Sequence, residues 1–254
     1  MAKTIYTQKE IVILRECGKR LSCVLKEVAR NTVPGATGSE IDFLARDLIR
    51  KGGDEPAFLN YTPDGAKRPY PAALCVSIND NVVHGIPDDV PLKEGDIVSL
   101  DLGITHKGLI TDMAVTVPVG KVDKTAANLI SSVREALESG INVARAGKRV
   151  GDISDAIASV AEKYGFSVVV ELGGHGVGHH VHEEPFVPNI GLAGTGPLLE
   201  AGMVLALEPI FNEGGASVKI AGDGYTYKTR DGKRSAHYEK TILITAGAAE
   251  ILTK

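Results

Sequence analysis

The chain has 254 residues, 43% of them hydrophobic and 24% charged, with a net charge of −4. That length can bury a substantial core, and the mild acidity excludes the global basic field that holds nucleic acid. Three cysteines (Cys17, Cys23 and Cys75) are too few and too oddly spaced for a disulfide framework or a cysteine zinc site. Polar residues interrupt every apolar run before membrane-spanning length, and Met1-Ala2-Lys3-Thr4 lacks a signal peptide's apolar stretch. The expectation is a cytoplasmic, soluble chain with no role for DNA or a membrane.

Thr7-Gln8-Lys9-Glu10 reads as a capping box, followed by Ile11, Leu14, Leu21, Leu25 and Val28 at helical spacing. That helix stops before Val33-Pro34-Gly35. A second opens near Ser39, carries Ile41, Leu44, Leu48 and Ile49, and ends at Gly52-Gly53. Residues 96–103 and 109–117 read as strands joined by a turn at Thr105-His106-Lys107-Gly108. A hairpin centred between His106 and Lys107 sets Asp101, at the end of its strand, directly opposite Asp112, with Cβ atoms roughly 5 Å apart. Like charges so placed repel unless a cation lies between them, and a divalent metal is the candidate.

Asp123 caps a third helix with Leu129, Val133, Leu137 and Ile141. After Gly147 a fourth carries Ile153, Ile157, Val160 and Tyr164 and closes at Gly165. Sliding the chain by 112 places Gly35 on Gly147, Ile41 on Ile153 and Gly53 on Gly165; a slide of 107 places residues 94–101 on 201–208. Chance likeness of amphipathic helices competes with duplication, but both stretches read helix, helix, strands. The pattern predicts pseudo-repeat halves, about 7–120 and 121–250, in one domain over 1–254. It also makes Asp101 and Glu208 counterparts at a shared cleft.

An acidic residue among apolar strand neighbours needs a partner or a metal when buried. Asp101, Asp112, Glu208 and Glu239 all sit in such contexts. Any one alone is more simply a solvent-facing strand residue; four together are harder to dismiss. Residues 173–185 hold four of the seven histidines (His175, His179, His180 and His182), the first within glycines. No Gly-Lys-Ser/Thr follows, so this is not a phosphate loop, and His182-Glu183 lacks the second histidine of the helical zinc-protease motif. Carboxylate and imidazole donors suit Mn, Fe, Co or Zn. Four carboxylates and one neutral imidazole balance two divalent ions, which together hold a bridging hydroxide and polarise a carbonyl.

These residues fall in Ser77-Ile-Asn-Asp-Asn-Val-Val-His84-Gly-Ile-Pro87, Asp96-Ile-Val-Ser-Leu-Asp101, Gly173-Gly-His175-Gly-Val-Gly, His180-Val-His182-Glu-Glu-Pro-Phe, Leu205-Ala-Leu-Glu208-Pro and Ser235-Ala-His-Tyr-Glu239-Lys-Thr. With these motifs the chain resembles the type I methionine aminopeptidases along almost its whole length. The resemblance implies the α+β pita-bread (creatinase/aminopeptidase) fold, with antiparallel sheet backed by helices in pseudo-two-fold halves. It implies Asp101, Asp112, His175, Glu208 and Glu239 as ligands of two divalent ions from among Co, Mn, Fe, Zn or Ni, with Asp112 and Glu239 bridging. His84 resembles the histidine near the scissile amide, and His182 the one that contacts the substrate carbonyl. Glu208 resembles the proton shuttle. Asn79, Asn81 and Ser235 fall where the family holds a structural monovalent cation. The implied substrate is the N-terminus of nascent polypeptides with a small second residue, and the implied state is a monomer.

Three departures bear on the methionine pocket. Val181 stands where the family has an aromatic, Tyr225 where tryptophan is common, and residues 61–69 form a longer loop. Tyr70 and Cys75 fit pocket positions, and Phe58 or Tyr61 supplies the missing aromatic volume. Tyr227-Lys-Thr-Arg-Asp-Gly-Lys-Arg234 reads as a basic hairpin-like segment with Asp231-Gly232 as its turn; it is a candidate for ribosomal contact, against the plainer account of a solvated turn. Two other readings remain: an X-Pro peptidase, whose relatives carry a large extra N-terminal domain, and a non-catalytic binding protein, which would lose ligands.

Overall fold

Four helices form where local chemistry predicts them in the computed structural model, which describes residues 4–63 and 65–254. Residues 1–3 and Asp64, hence most of the N-terminal stretch and one position of the 61–69 loop, lie outside the described residues. α1 (Gln8–Arg30) starts on Thr7, whose hydroxyl accepts from Glu10 N while the Glu10 carboxylate accepts from Thr7 N. Thr37 and Glu40 form a second capping box for α2 (Gly38–Gly52), and Gly53 closes it at φ 76°. Asp123 caps α3 (Lys124–Val143), and Gly165 closes α4 (Val150–Tyr164) at φ 73°. α2 and α4 each span 15 residues.

The helices back two antiparallel sheets. One joins Glu55–Pro56, Ile97–His106 and Leu74–Ile78, with Leu109–Pro118 also paired to Ile97–His106. The other runs in the order Glu250–Ile251, Lys240–Leu243, Val204–Leu207, Gly173–Gly176, Glu183–Pro188. Val98, Leu100, Leu102 and Ile104 pack with α1 and α2 through Leu21, Leu25, Ile41 and Ile49. Leu205, Leu207 and Ile242 pack with α3 and α4 through Leu129, Val133, Ile153 and Ile157. Strand alternation then turns Asp101 and Asp112, and likewise His175, Glu208 and Glu239, to the faces away from the helices.

The hairpin register departs from the expected one. Asp101 faces Ala114 and Gly103 faces Asp112, because the turn is Lys107-Gly108 alone, flanked by the pair His106 and Leu109. Both turn residues have positive φ, 50° and 79°, as a two-residue primed turn requires. The strand therefore runs on to His106 and leaves Asp101 in its middle rather than at its end. Moving the turn centre by one residue shifts each partner by two, so the faces are preserved. Asp101 and Asp112 become diagonal neighbours on the same face.

Threonines tie the first sheet to residues 237–241, which lead into the second. Thr241 Oγ1 donates to Asp112 O at 2.7 Å and accepts from Asp112 N at 2.9 Å. Thr116 Oγ1 donates to His237 O at 2.7 Å and accepts from His237 N at 2.9 Å. Glu239 N donates to Ala114 O at 2.9 Å, which fixes one acidic residue against the other half's strand. The basic segment 227–234 is not a hairpin. Tyr227–Thr229 pairs with Val218–Ile220 and Asn81–Val83, whereas Ser235–His237 pairs with Ile210–Asn212 in a different sheet. Asp231, expected in a hairpin turn, instead accepts from Gly215 N and Lys233 N.

Candidate active site

A cavity is lined by Asp101, Asp112, His175, Glu208 and Glu239 at its floor and by His84 and His182 nearer the mouth. Asp101 and Asp112 come from the hairpin strands, and His175 from Gly173–Gly176. Glu208 directly follows Val204–Leu207, and Glu239 directly precedes Lys240–Leu243. The register sets His175 and Thr241 on either side of Ala206, so their side chains share its face. Ligand atoms of Asp112, His175 and Glu239 all lie within 4.8 Å of one another.

The electrostatics of this floor call for cations. Asp101, Asp112 and Glu239 are 9%, 3% and 2% exposed. Burial pushes the Asp112 carboxyl up to about 7, helped by Glu208, and pushes Glu208 up to about 8. Burial and the neighbouring carboxylates hold Asp101 and Glu239 well above the usual range. Asp101 Oδ1 is buried with no hydrogen-bond partner among the described residues. His175 is driven down to about 3 by burial, so its ring is neutral. Its Nδ1 donates to Gly176 O at 2.9 Å, leaving the Nε2 lone pair turned toward Glu208 Oε1, 3.6 Å away. Orphaned carboxylate oxygen, clustered acids and an oriented neutral imidazole fit divalent metal.

The upper walls are aromatic. Phe58, Tyr61, Pro63, Tyr70, Cys75, Val181 and Tyr225 line the same cavity. Phe58 reaches in over Gly103, where an added Cβ would lie 2.8 Å from its ring. Tyr70 donates its O–H to Gly85 O at 2.8 Å and meets Tyr225 edge-on at 5.2 Å. The Tyr225 hydroxyl bonds Arg68 O, and Arg68 in turn donates to Asp223 O at 3.0 Å, so the long loop is tied to the pocket rim. Burial and the adjacent Asp101 carboxylate push the Cys75 thiol up, which makes it an inert apolar wall. Tyr61 Oη lies 3.0 Å from His182 Nδ1 and fixes that ring. His84 takes the left-handed conformation at φ 57°, a strained backbone of the kind that concentrates at functional sites; burial lowers its imidazole to about 4.

Asn79 and Ser235 do come together, through Ser235 N donating to Asn79 O at 2.8 Å. The Asn79 side chain is engaged with Asp96 and the Ile97 amide. Asn81 lies on the neighbouring strand Asn81–Val83. Two features escaped the sequence reading. His237 is 1% exposed, with Nε2 3.4 Å from Glu208 Oε2; its place two positions before Glu239 was the available signal. Glu183 accepts from Tyr6 O–H and from His179 N and His180 N, which braces the loop before His182. No local pattern links residues 6 and 183.

The model of Metallopeptidase family M24 matches residues 12–246. The chain is 45% identical to the methionine aminopeptidase of Aquifex aeolicus over the full length of both, and 40% identical to methionine aminopeptidase 1 of Bacillus subtilis over 98% of each. The crystal structure of methionine aminopeptidase from Thermotoga maritima superposes with a TM-score of 0.95 at 43% identity, covering all of both chains. The prolidase from Pyrococcus furiosus shares the fold alone, at 22% identity and a TM-score of 0.76, and the chain spans 66% of it.

Proposed function

This chain belongs to metallopeptidase family M24, among the methionine aminopeptidases with the pita-bread fold, and on that premise we propose that it removes the N-terminal methionine of nascent proteins whose second residue is small. The observation that carries this reading is the buried floor of four carboxylates and one neutral histidine beneath an apolar pocket. Asp101, Asp112, His175, Glu208 and Glu239 would hold two divalent ions. The chemistry the ions supply is activation of water and polarisation of the scissile carbonyl.

The protein's own residues do the rest. Phe58, Tyr61, Tyr70, Cys75, Val181 and Tyr225 receive the methionine side chain, whose flexible thioether adapts to an irregular apolar wall. His84 steadies the scissile amide and the following residue. In the tautomer in which Tyr61 O–H donates to His182 Nδ1, the ring proton sits on Nε2, placed to stabilise charge developing on the carbonyl oxygen. Glu208, at the floor of the cavity, carries a proton from the attacking water to the leaving amine.

The finer expectations follow the same premise. The halves 7–120 and 121–250 descend from a duplication; the equal length of α2 and α4 and the matching glycine closures support it. The enzyme acts as a cytoplasmic monomer, and no helix among the described residues is long and apolar enough to cross a membrane. A structural monovalent cation sits by Asn79, Asn81 and Ser235. Ribosomal contact through 227–234 has weaker support, because Lys228 pairs with Asp80 and Arg234 with Asp123 and Glu213.

The test is methionine release from Met-Ala-Ser and Met-Lys-Ser peptides with Mn, Co or Fe added. Cleavage of the first alone supports the reading. Preference for X-Pro peptides, or binding of metal without turnover, would overturn it.

A further inference from the structure

A second cavity opens off the first. The two share His84, His175, His182 and Glu208, so a peptide whose amino end fills the inner cavity leaves through the outer one. The outer walls are Glu171 and Leu172, just ahead of Gly173–Gly176, and Glu184 and Phe186 of Glu183–Pro188. On that strand Glu183, Pro185 and Val187 turn inward, while Glu184 and Phe186 turn outward together. Phe186 is 48% exposed, an apolar ring held at the surface beside two exposed carboxylates. No Lys or Arg is found among the described residues that line this cavity.

Taking the aminopeptidase reading as premise, we propose that this outer cavity is a subsite for a basic side chain, Lys or Arg, at the third or fourth residue of the substrate. An extended peptide advances about 3.3–3.6 Å per residue, which carries those residues about 7–11 Å past the Cα of the terminal methionine. There the aliphatic stem of Lys or Arg lies along the Phe186 ring, and its charged head meets Glu171 or Glu184. An acidic side chain at the same place meets like charge. The two carboxylates are solvated, so the preference is modest, about three- to tenfold in kcat/KM.

The experiment compares methionine release from Met-Ala-Lys-Lys-Ser, Met-Ala-Ser-Ser-Ser and Met-Ala-Glu-Glu-Ser by the metal-loaded enzyme. The lysine peptide is expected to exceed the glutamate peptide by about three- to tenfold at low salt, and by less at high salt. In the Glu171→Gln/Glu184→Gln variant that ratio should collapse toward one, with the serine peptide cleaved as by wild type. Equal kcat/KM for the charged peptides, or a ratio unchanged in the variant, overturns the subsite and leaves the aminopeptidase reading standing. Failure to cleave any of the three overturns the reading and the subsite with it.

Discussion

Asp112 is constrained at both its backbone and its side chain. Its backbone is clasped by Thr241 from the opposite half, its carboxyl lies beside those of Asp101 and Glu208, and its pKa is pushed up to about 7 mainly by burial. Asp112→Asn keeps the shape and removes the charge. It should abolish methionine release and weaken metal affinity by at least about tenfold, read by turnover and metal content; wild-type turnover would contradict the assignment. Tyr61→Phe leaves the ligands alone but frees the His182 ring, so kcat should fall about 10- to 100-fold with metal content unchanged. The pH dependence has a definite sign. Glu208 and Asp112 rise from 4.5 and 3.8 to about 8 and about 7, so the metal-free folded state holds protons that the unfolded chain has released. Their contribution to stability is complete below pH 4 and is lost as pH rises through 7 and 8. Metal replaces those protons, so the gain in Tm on adding Mn should be larger at pH 8 than at pH 5.5. A gain that shrinks with rising pH would contradict this. Asp101, Asp112, Glu208 and Glu239 were legible as a set because charge inside apolar runs is conspicuous; His237 and Tyr6 were not, because their partners Glu208 and Glu183 are distant in the chain.

At the level of elements, legibility followed the range of the chemistry. Thr7 with Glu10, Asp123, Gly53 and Gly165 act within one helical turn, and each marks its helix end where expected. The hairpin register was misplaced because Lys107-Gly108 lacks the Asn-Gly signature of a primed turn. Lys107 is exposed and holds φ 50°, a conformation that asparagine adopts more readily. Lys107→Asn should therefore stabilise the fold by about 0.5 kcal/mol, a rise in Tm of about 1–2 °C, without altering kcat. A fall in Tm would show that the lysine side chain matters more than its backbone. The small sheets that separate Tyr227–Thr229 from Ser235–His237 depend on partners far away in sequence, such as Asn81–Val83 and Ile210–Asn212, so the basic segment's strand partners could not be read locally.

Across the whole molecule, two helix-backed sheets meet at the cavity and neither alone holds a complete site. Asp101 and Asp112 come from one, and His175, Glu208 and Glu239 from the other, with Thr241 joining them. The paired aspartates alone point to a metal, whereas the expected substrate rests on the wider constellation together with the family resemblance. Anomalous scattering from Mn-soaked crystals tests that arrangement most directly. The account predicts two peaks roughly 3.5–4 Å apart, one of them within bonding distance of His175 and both contacting Asp112 and Glu239. No peak among these five side chains, or one bound without Asp112 and Glu239, would contradict it.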